Sequence, residues 1–166
     1  MAGIRIGTGA GSGATSDSLA MHATAIAIDG LAIVLTGPSG SGKSDLAFRL
    51  IEGGAALIAD DRLEFLTVKD QLCCRAPPAT PPELLGRIEL RGIGILPVRT
   101  VPGPLPVQWL VDLVPPGAVE RLPEPRRRNL LGHDVPVLHL AAFEASAAAK
   151  LRLAAARGPG LIMGRE

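Results

Sequence analysis

Aromatic side chains are scarce in this 166-residue chain, where Phe, Trp and Tyr together make up 2% and Tyr is absent. Proteins that bind single-stranded nucleic acids stack bases on aromatic rings, so the shortage argues against that class. An excess of one charge is also lacking, because 17 Lys and Arg offset 16 Asp and Glu to leave a net charge of +1. Such a balance provides no electric field that would attract DNA or a membrane surface. We therefore expect neither a nucleic-acid nor a membrane partner.

The sequence also has few cysteines and no long apolar run. The two cysteines, Cys73 and Cys74, are adjacent, a spacing that suits neither a disulfide framework nor a zinc site. No apolar run reaches the roughly 18 residues that can span a bilayer, and the N-terminus does not read as a signal peptide. The expected location is the cytoplasm. Apolar residues nevertheless make up 47% of the chain, which is enough for one domain with a real core.

One motif indicates a bound nucleoside triphosphate. It fits the P-loop pattern G-x-x-x-x-G-K-[ST] and consists of Gly37, Pro38, Ser39, Gly40, Ser41, Gly42, Lys43 and Ser44. Glycines allow backbone N–H groups to turn toward the phosphates, Lys43 supplies positive charge to the outer phosphates, and Ser44 supplies a hydroxyl ligand for Mg²⁺. An apolar run at 31–36 precedes the motif and a helical pattern at 45–52 follows it. This order aims a helix N-terminus at the anion, so ATP and Mg²⁺ are the predicted cofactors.

The rest of the chain is predicted to be strand-rich with few helices, an α/β P-loop nucleotide-binding core. We predict a flexible N-terminal tail over residues 1–18, one P-loop kinase domain over 19–158 and a C-terminal tail over 159–166. A hairpin is expected around Asp29-Gly30, a dipeptide suited to a type I′ turn. Further strands are expected at 55–59, 63–68, 71–75, 87–90, 108–114 and 135–140. Residues 141–157 are predicted to form a helix with an apolar stripe that includes Phe143, and Arg126–Arg128 are interpreted as a solvated or docking patch.

Two carboxylates at the end of a predicted strand are the first candidates for chemistry. Asp60 and Asp61 follow the strand at 55–59, and the carboxyl ends of strands face the ligand crevice in open α/β sheets. One carboxylate could hold Mg²⁺ while the other accepts a proton from an incoming hydroxyl. A solvated turn is the alternative interpretation. His22, in the strand predicted to pair with the P-loop strand, suits a phosphate donor or a structural role.

Two later positions carry weaker signals. Glu89 and Arg91 stand beside a Gly-rich stretch, which suits a site that must admit a bulky partner, although such a pair is also common at a strand edge. Arg121 lies in a proline-rich loop, from which its guanidinium could reach a transferring phosphoryl group or remain a surface charge.

Five segments in order resemble a known family. They are Met21-His22, Asp29-Gly30-Leu31, the P-loop, residues 57–61 and residues 88–95. The set resembles the catalytic domain of the bifunctional HPr kinase/phosphorylase. That resemblance implies a P-loop kinase that phosphorylates a serine of HPr, the carrier protein of the sugar phosphotransferase system, and that reverses the reaction by phosphorolysis. It also implies a fold like the nucleotide-binding core of phosphoenolpyruvate carboxykinase, and hexamers.

The resemblance assigns roles to individual positions of this chain. Lys43 and His22 match the family's active-site Lys and His, and Ser44 and Glu89 match its Mg²⁺ ligands. Asp61 matches the base that activates the HPr serine. Arg121 matches a later catalytic arginine. Asp60, which the strand-end argument proposes, completes the predicted metal ligands.

The chain departs from the family pattern in three respects. We expect a short form without the N-terminal domain of the long members, and Asp45 stands where a Glu commonly follows the P-loop. Residues 138–143 replace a Pro-Val-Arg-Pro-Gly-Arg stretch linked to dephosphorylation, so the sequence supports kinase activity better than phosphorylase activity. A small-molecule P-loop kinase and a non-catalytic nucleotide-binding regulator are the alternative functions.

Overall fold

Residues 17–163 are described by a computed structural model, so most of the predicted N-terminal tail lies outside the described residues. These residues form eleven strands and two α-helices. The strands are β1 Ser18–Met21, β2 Thr24–Ile28, β3 Leu31–Thr36, β4 Ala56–Ala59, β5 Leu63–Val68, β6 Gln71–Arg75, β7 Arg87–Leu90, β8 Gly94–Pro97, β9 Leu105–Leu113, β10 Arg126–Leu130 and β11 His133–Leu140. The helices are α1 Lys43–Glu52 and α2 Ala147–Met163. The predicted strand-rich α/β class is confirmed.

Nine of the strands form one sheet, whose main path is β1-β5-β6-β9-β3-β2-β4. β11 pairs in parallel with the second half of β9, and β10 pairs with β11. β3 also runs parallel to β9, and β4 has the same direction because both β3 and β4 are antiparallel to β2. The chain therefore leaves β3, β4, β9 and β11 at one edge of the sheet, which is where a ligand crevice is expected.

The hairpin of β2 and β3 fixes the start of this arrangement. Asp29 and Gly30 connect the strands with φ angles of 51° and 78°, and Ile28 pairs with Leu31. Positive φ at both central positions is the mark of the type I′ turn that the sequence predicted. The turn sets the register of β3, and so the point at which the P-loop begins.

Two apolar cores cover the two faces of the sheet. Leu46, Leu50 and Leu151 bring both helices onto one face, where Trp109 is fully buried and its indole Nε1 donates to the Ala154 carbonyl at 3.2 Å. On the opposite face Phe65 is the largest fully buried side chain. Alternate residues of the central strands therefore contribute to opposite cores, and the strand ends that carry the P-loop are held from both sides.

Several boundaries differ from the sequence predictions. β9 begins at Leu105 and not at residue 108. Pro106 lies near its start, where β9 pairs with β6 over only two residues, and a proline is tolerated at such a position. Residues 126–130, where the sequence predicted only a charged patch, form β10, since pairing with β11 satisfies their backbone and an edge strand accepts charged side chains.

The C-terminal helix also differs from its predicted extent. α2 begins at Ala147 instead of residue 141, and Phe143 precedes it with 72% of its surface exposed, so its place in a buried stripe was wrong. Gly158 breaks the helical geometry with a φ of 72°, after which the helix resumes to Met163. No helix among residues 17–163 is long and apolar enough to cross a membrane.

Candidate active site

The P-loop connects β3 to α1 and holds its own lysine. Lys43 is 8% exposed, and its Nζ donates to the carbonyls of Gly37 at 2.7 Å and Pro38 at 3.1 Å. These bonds place the ammonium inside the loop, beside the N–H groups that begin α1. The resulting concentration of donors and positive charge is suited to the phosphates of a nucleotide.

Gly42 is the position of the loop where a side chain is least tolerated. It caps α1 in the left-handed region with a φ of 95°. A Cβ there would lie 2.7 Å from the Ala142 Cβ and 3.0 Å from the Phe143 Cζ. The loop after β11 is therefore packed directly against the P-loop, and Gly42 is required by both conformation and space.

We expect Gly42→Ala to destabilise the protein more than Gly54→Ala. Both glycines have positive φ, but a Cβ at Gly54, where φ is 106°, meets no atom within 4 Å. Backbone strain from positive φ is common to both variants. Crowding against Ala142 lowers the free energy of unfolding by a further amount of about 1–3 kcal/mol in Gly42→Ala alone. Thermal unfolding should show a Tm lower by about 3–10 °C than that of the Gly54 variant. Equal losses of Tm in the two variants would contradict the close packing of the loop after β11 against the P-loop.

Asp60 links the P-loop to two other elements. Ser44 Oγ donates to Asp60 Oδ1 at 3.0 Å, and buried Thr24 of β2 donates to the same oxygen at 2.8 Å. The backbone N–H of Glu89, in β7, donates to Asp60 Oδ2 at 3.4 Å. Three donors from separate elements thus orient this carboxylate next to the Ser44 hydroxyl.

The oxygen atoms around Asp60 fit Mg²⁺. The ion prefers hard oxygen ligands and is commonly held by one or two carboxylates, with waters and substrate phosphates completing the octahedron. Ser44 and Asp60 supply one hydroxyl and one carboxylate, and Glu89, whose backbone N–H contacts Asp60, lines the same cavity as Asp60. Among residues 17–163 there is no group of three or more His, Cys, Asp or Glu that could hold a metal ion.

His22 contacts Asp61, the residue that follows Asp60. His22 Nε2 contacts Asp61 Oδ1, and both side chains are more than half exposed. His22 lies in the short link between β1 and β2, and not inside a strand as the sequence suggested. Asp61 has a φ of 70°, a conformation that Asp and Asn adopt more readily than most residues. The pair is accessible to a large partner molecule.

A cavity of about 950 Å³ opens beside the His22–Asp61 pair. Its walls include Glu89 and Ile95 of the β7–β8 hairpin and the half-exposed Leu84 and Leu85. Arg62 and Arg87 line the cavity as well, so charges of both signs meet partly apolar walls there.

Arg91 is a residue that the sequence analysis noted but did not include in the site. A Cβ at Gly40 would lie 3.7 Å from Arg91 Nη2, so the guanidinium lies over the P-loop. It reaches this position from the turn of the β7–β8 hairpin, where Gly92 has a φ of 83°. The available signal was an arginine placed directly before a Gly-rich turn.

Arg121 is not brought into contact with the other candidates. It is exposed in the loop between Ala118 and β10, and no hydrogen bond or ion pair joins it to another residue of the 17–163 region. The loop does leave β9 at the edge of the sheet that carries the P-loop. Its catalytic role stays a prediction.

A different arginine, Arg128 of β10, is anchored near the P-loop. Its guanidinium donates to both oxygens of Asp112 at 3.1 and 2.7 Å, and Thr36 donates to Asp112 as well. Burial alone would raise the pKa of Asp112, but the hydrogen bonds from Arg128 and Thr36 outweigh it and hold the pKa below its ordinary value. Asp112, at the end of β9, thus joins β10 to the strand that leads into the P-loop.

Comparisons with known proteins agree with this geometry. Residues 14–112 match the family model described as HPr Serine kinase C-terminal domain. The chain belongs to this family. A solved structure entitled Hpr(Ser) kinase/phosphatase from Coxiella burnetii superposes with a TM-score of 0.70 at 26% identity, covering 84% of this chain and 88% of that one.

Curated relatives bear the same family name. HPr kinase/phosphorylase from Burkholderia lata is 36% identical over 121 residues, which cover 68% of this chain and 37% of the relative. HPr kinase/phosphorylase from Clostridium beijerinckii is 37% identical over 83 residues, or 50% of this chain and 26% of the relative. The chain thus spans little more than a third of the length of the first of these relatives.

Proposed function

We propose that this domain transfers the γ-phosphoryl group of ATP to a serine hydroxyl of HPr or an HPr-like carrier of the phosphotransferase system. One observation carries the proposal: Asp60 is hydrogen-bonded to Ser44 of the P-loop, and the next residue, Asp61, pairs with His22. These contacts support a nucleotide site and a general base that adjoin at one edge of the sheet. The family name of the relatives supports a protein serine as the acceptor.

Asp61 is the proposed general base. Its carboxylate accepts the proton of the carrier's serine hydroxyl, the serine oxygen bonds to the γ-phosphorus, and the bond from phosphorus to the leaving oxygen of ADP breaks. His22 contacts one oxygen of Asp61 and keeps that carboxylate oriented beside the cavity. The other oxygen is then the one that meets the serine.

Charge on the phosphates is the second requirement. Lys43 lies among the loop carbonyls, and Arg91 lies above Gly40, so two cations flank the proposed phosphate path. Ser44, Asp60 and Glu89 would hold Mg²⁺, which when bound neutralises negative charge on the outer phosphates. Arg121 is proposed to approach from the loop after β9 when the carrier is bound.

The reverse reaction, phosphorolysis of the phosphoserine to give pyrophosphate, is the less supported half. The stretch that the family links to dephosphorylation is replaced here by residues that include Phe143. We also propose a homo-oligomer, a hexamer by family resemblance, which light scattering of the purified chain would test.

Intact-mass measurement tests the proposed function. The chain is incubated with ATP, Mg²⁺ and the host's own HPr, and HPr is expected to gain one phosphoryl group, about 80 Da. Subsequent addition of inorganic phosphate removes that group if phosphorolysis operates. Phosphorylation of a metabolite with no change in HPr would favour a small-molecule kinase, and nucleotide binding without any turnover would favour a regulator.

We expect Arg91→Ala to lower the transfer rate by about 10²-fold, because its charge would no longer stabilise the phosphates during transfer. The affinity for ATP should fall much less, since Lys43 and the loop N–H groups remain. Arg157→Ala is the matched control, because Arg157 is an exposed arginine of α2 that does not line the cavity. Steady-state kinetics and calorimetry separate the two effects. Equal rates for the two variants would exclude a role for Arg91.

A further inference from the structure

The loop between β11 and α2 places an exposed aromatic ring against the P-loop. Phe143 is 72% exposed, whereas Phe65 and Trp109 are fully buried and Phe48 is half-buried. These four are all the aromatic residues of the chain, and all lie in the described part. Exposure of a single apolar side chain is common, and what distinguishes this ring is its place beside the P-loop.

The ring lies beside Gly42, the N-cap of α1. A Cβ at Gly42 would lie 3.0 Å from Phe143 Cζ and 3.2 Å from its Cε1. The N–H groups that follow Gly42 are those that bind the phosphates of a nucleotide in a P-loop. Phe143 is therefore within the reach of a nucleoside whose phosphates occupy the loop.

Phe143 and the acidic residues lie beside different faces of the first turn of α1. Successive helix residues are about 100° apart, so Ser44 and Asp45 face different directions. Ser44 faces Asp60, whereas Asp45 pairs with Arg49, whose guanidinium donates to the carbonyls of Ala142 and Glu144. If the γ-phosphate lies near Asp61, the nucleoside end of the same molecule leaves on the side of Phe143.

The loop that carries the ring is held in place. Ala141 and Ala142 are 2% and 3% exposed, the Glu144 carboxylate pairs with Lys150 at 2.9 Å, and the Arg49 carbonyl accepts from Arg152 at 3.0 Å. A ring on a fixed support loses little freedom when a flat ligand stacks on it. The surroundings of Phe143 therefore favour binding without rearrangement.

We propose that Phe143 is a stacking platform for the nucleobase of the triphosphate bound at the P-loop. The placement of the phosphates rests on the proposed function. Because stacking depends on the area of the π face, purine triphosphates bind more tightly than pyrimidine triphosphates. Phe143 is one of the residues 138–143, which depart from the family pattern.

Calorimetry with two ligands tests the platform. ATP and inorganic tripolyphosphate, each with Mg²⁺, are titrated into wild type, Phe143→Ala, Phe143→Tyr and Leu153→Ala. We expect Phe143→Ala to weaken ATP binding about tenfold and to leave tripolyphosphate binding within about twofold, because only ATP has a base to stack. Phe143→Tyr retains ATP affinity. Leu153→Ala, which removes a 54% exposed apolar side chain from α2, changes neither ligand.

The proposal is overturned by unchanged ATP affinity in Phe143→Ala, and also by equal losses of affinity for ATP and tripolyphosphate. In a second variant, Phe143→Trp, saturating ATP should alter the tryptophan fluorescence, whereas tripolyphosphate should leave it unchanged. Equal fluorescence responses to the two ligands would also overturn the proposal. Failure of the proposed function is recognised separately. In that case wild type distinguishes ATP from tripolyphosphate through Phe143 but transfers no phosphoryl group to HPr.

Discussion

Asp61→Asn should reduce phosphoryl transfer to HPr by about 10³-fold while ATP affinity stays within about twofold of wild type. The amide cannot accept the serine proton, and general-base catalysis is worth roughly 10²–10⁴-fold. Asn is the informative replacement because Asp61 has a φ of 70°, which Asn adopts as readily as Asp. The loss then reports on chemistry and not on backbone strain. Single-turnover kinetics with saturating ATP and HPr provide the measurement.

Asp70→Asn is the matched control for this variant. Asp70 is also exposed and also has positive φ, at 61°, but it lies in the turn between β5 and β6. It should leave the transfer rate unchanged. If Asp61→Asn retained a rate within tenfold of wild type, Asp61 could not be the base.

Lys43→Met should abolish detectable transfer and weaken ATP binding at least about 100-fold. Met preserves the apolar stem but removes the charge that the loop carbonyls of Gly37 and Pro38 now hold in place. Neither Arg91 nor the loop N–H groups can replace a cation in that position. Calorimetric titration with ATP and Mg²⁺ measures the effect.

Lys69→Met serves as its control, because Lys69 is an exposed lysine of the β5–β6 turn. Both variants lose one charge and keep a long side chain, so they differ only in location. Circular dichroism should show that both are folded. ATP affinity close to wild type in Lys43→Met would contradict the assignment of the phosphate site.

The local features of the fold were accessible from sequence. Asp29-Gly30 predicts its hairpin because both residues tolerate positive φ, and Gly37–Ser44 predicts its loop because the chemistry lies within eight consecutive residues. The strand-end rule placed Asp60 and Asp61 at the ligand edge for a general reason of topology. Such inferences need only neighbours along the chain.

Contacts between distant segments were not accessible in the same way. Arg91 lies over Gly40 only because a hairpin folds back onto the P-loop, and no periodicity of the sequence records that. Arg128 has the appearance of a solvated charge until β10 pairs with β11 and brings it to Asp112. Phe143 fits a helical stripe by spacing, yet the helix starts four residues later because the loop is tied to Arg49.

The bond from the Glu89 N–H to Asp60 has a thermodynamic consequence. It connects the β7–β8 hairpin, which walls the cavity, to the carboxylate that contacts Ser44. A carrier that shifts this hairpin on docking must alter the surroundings of the phosphates, and with them the free energy of ATP binding. Linkage then requires that ATP alter the affinity for the carrier by the same factor. On the proposed function, the two substrates are coupled through the β7–β8 hairpin, by its bond to Asp60 and by Arg91 over Gly40.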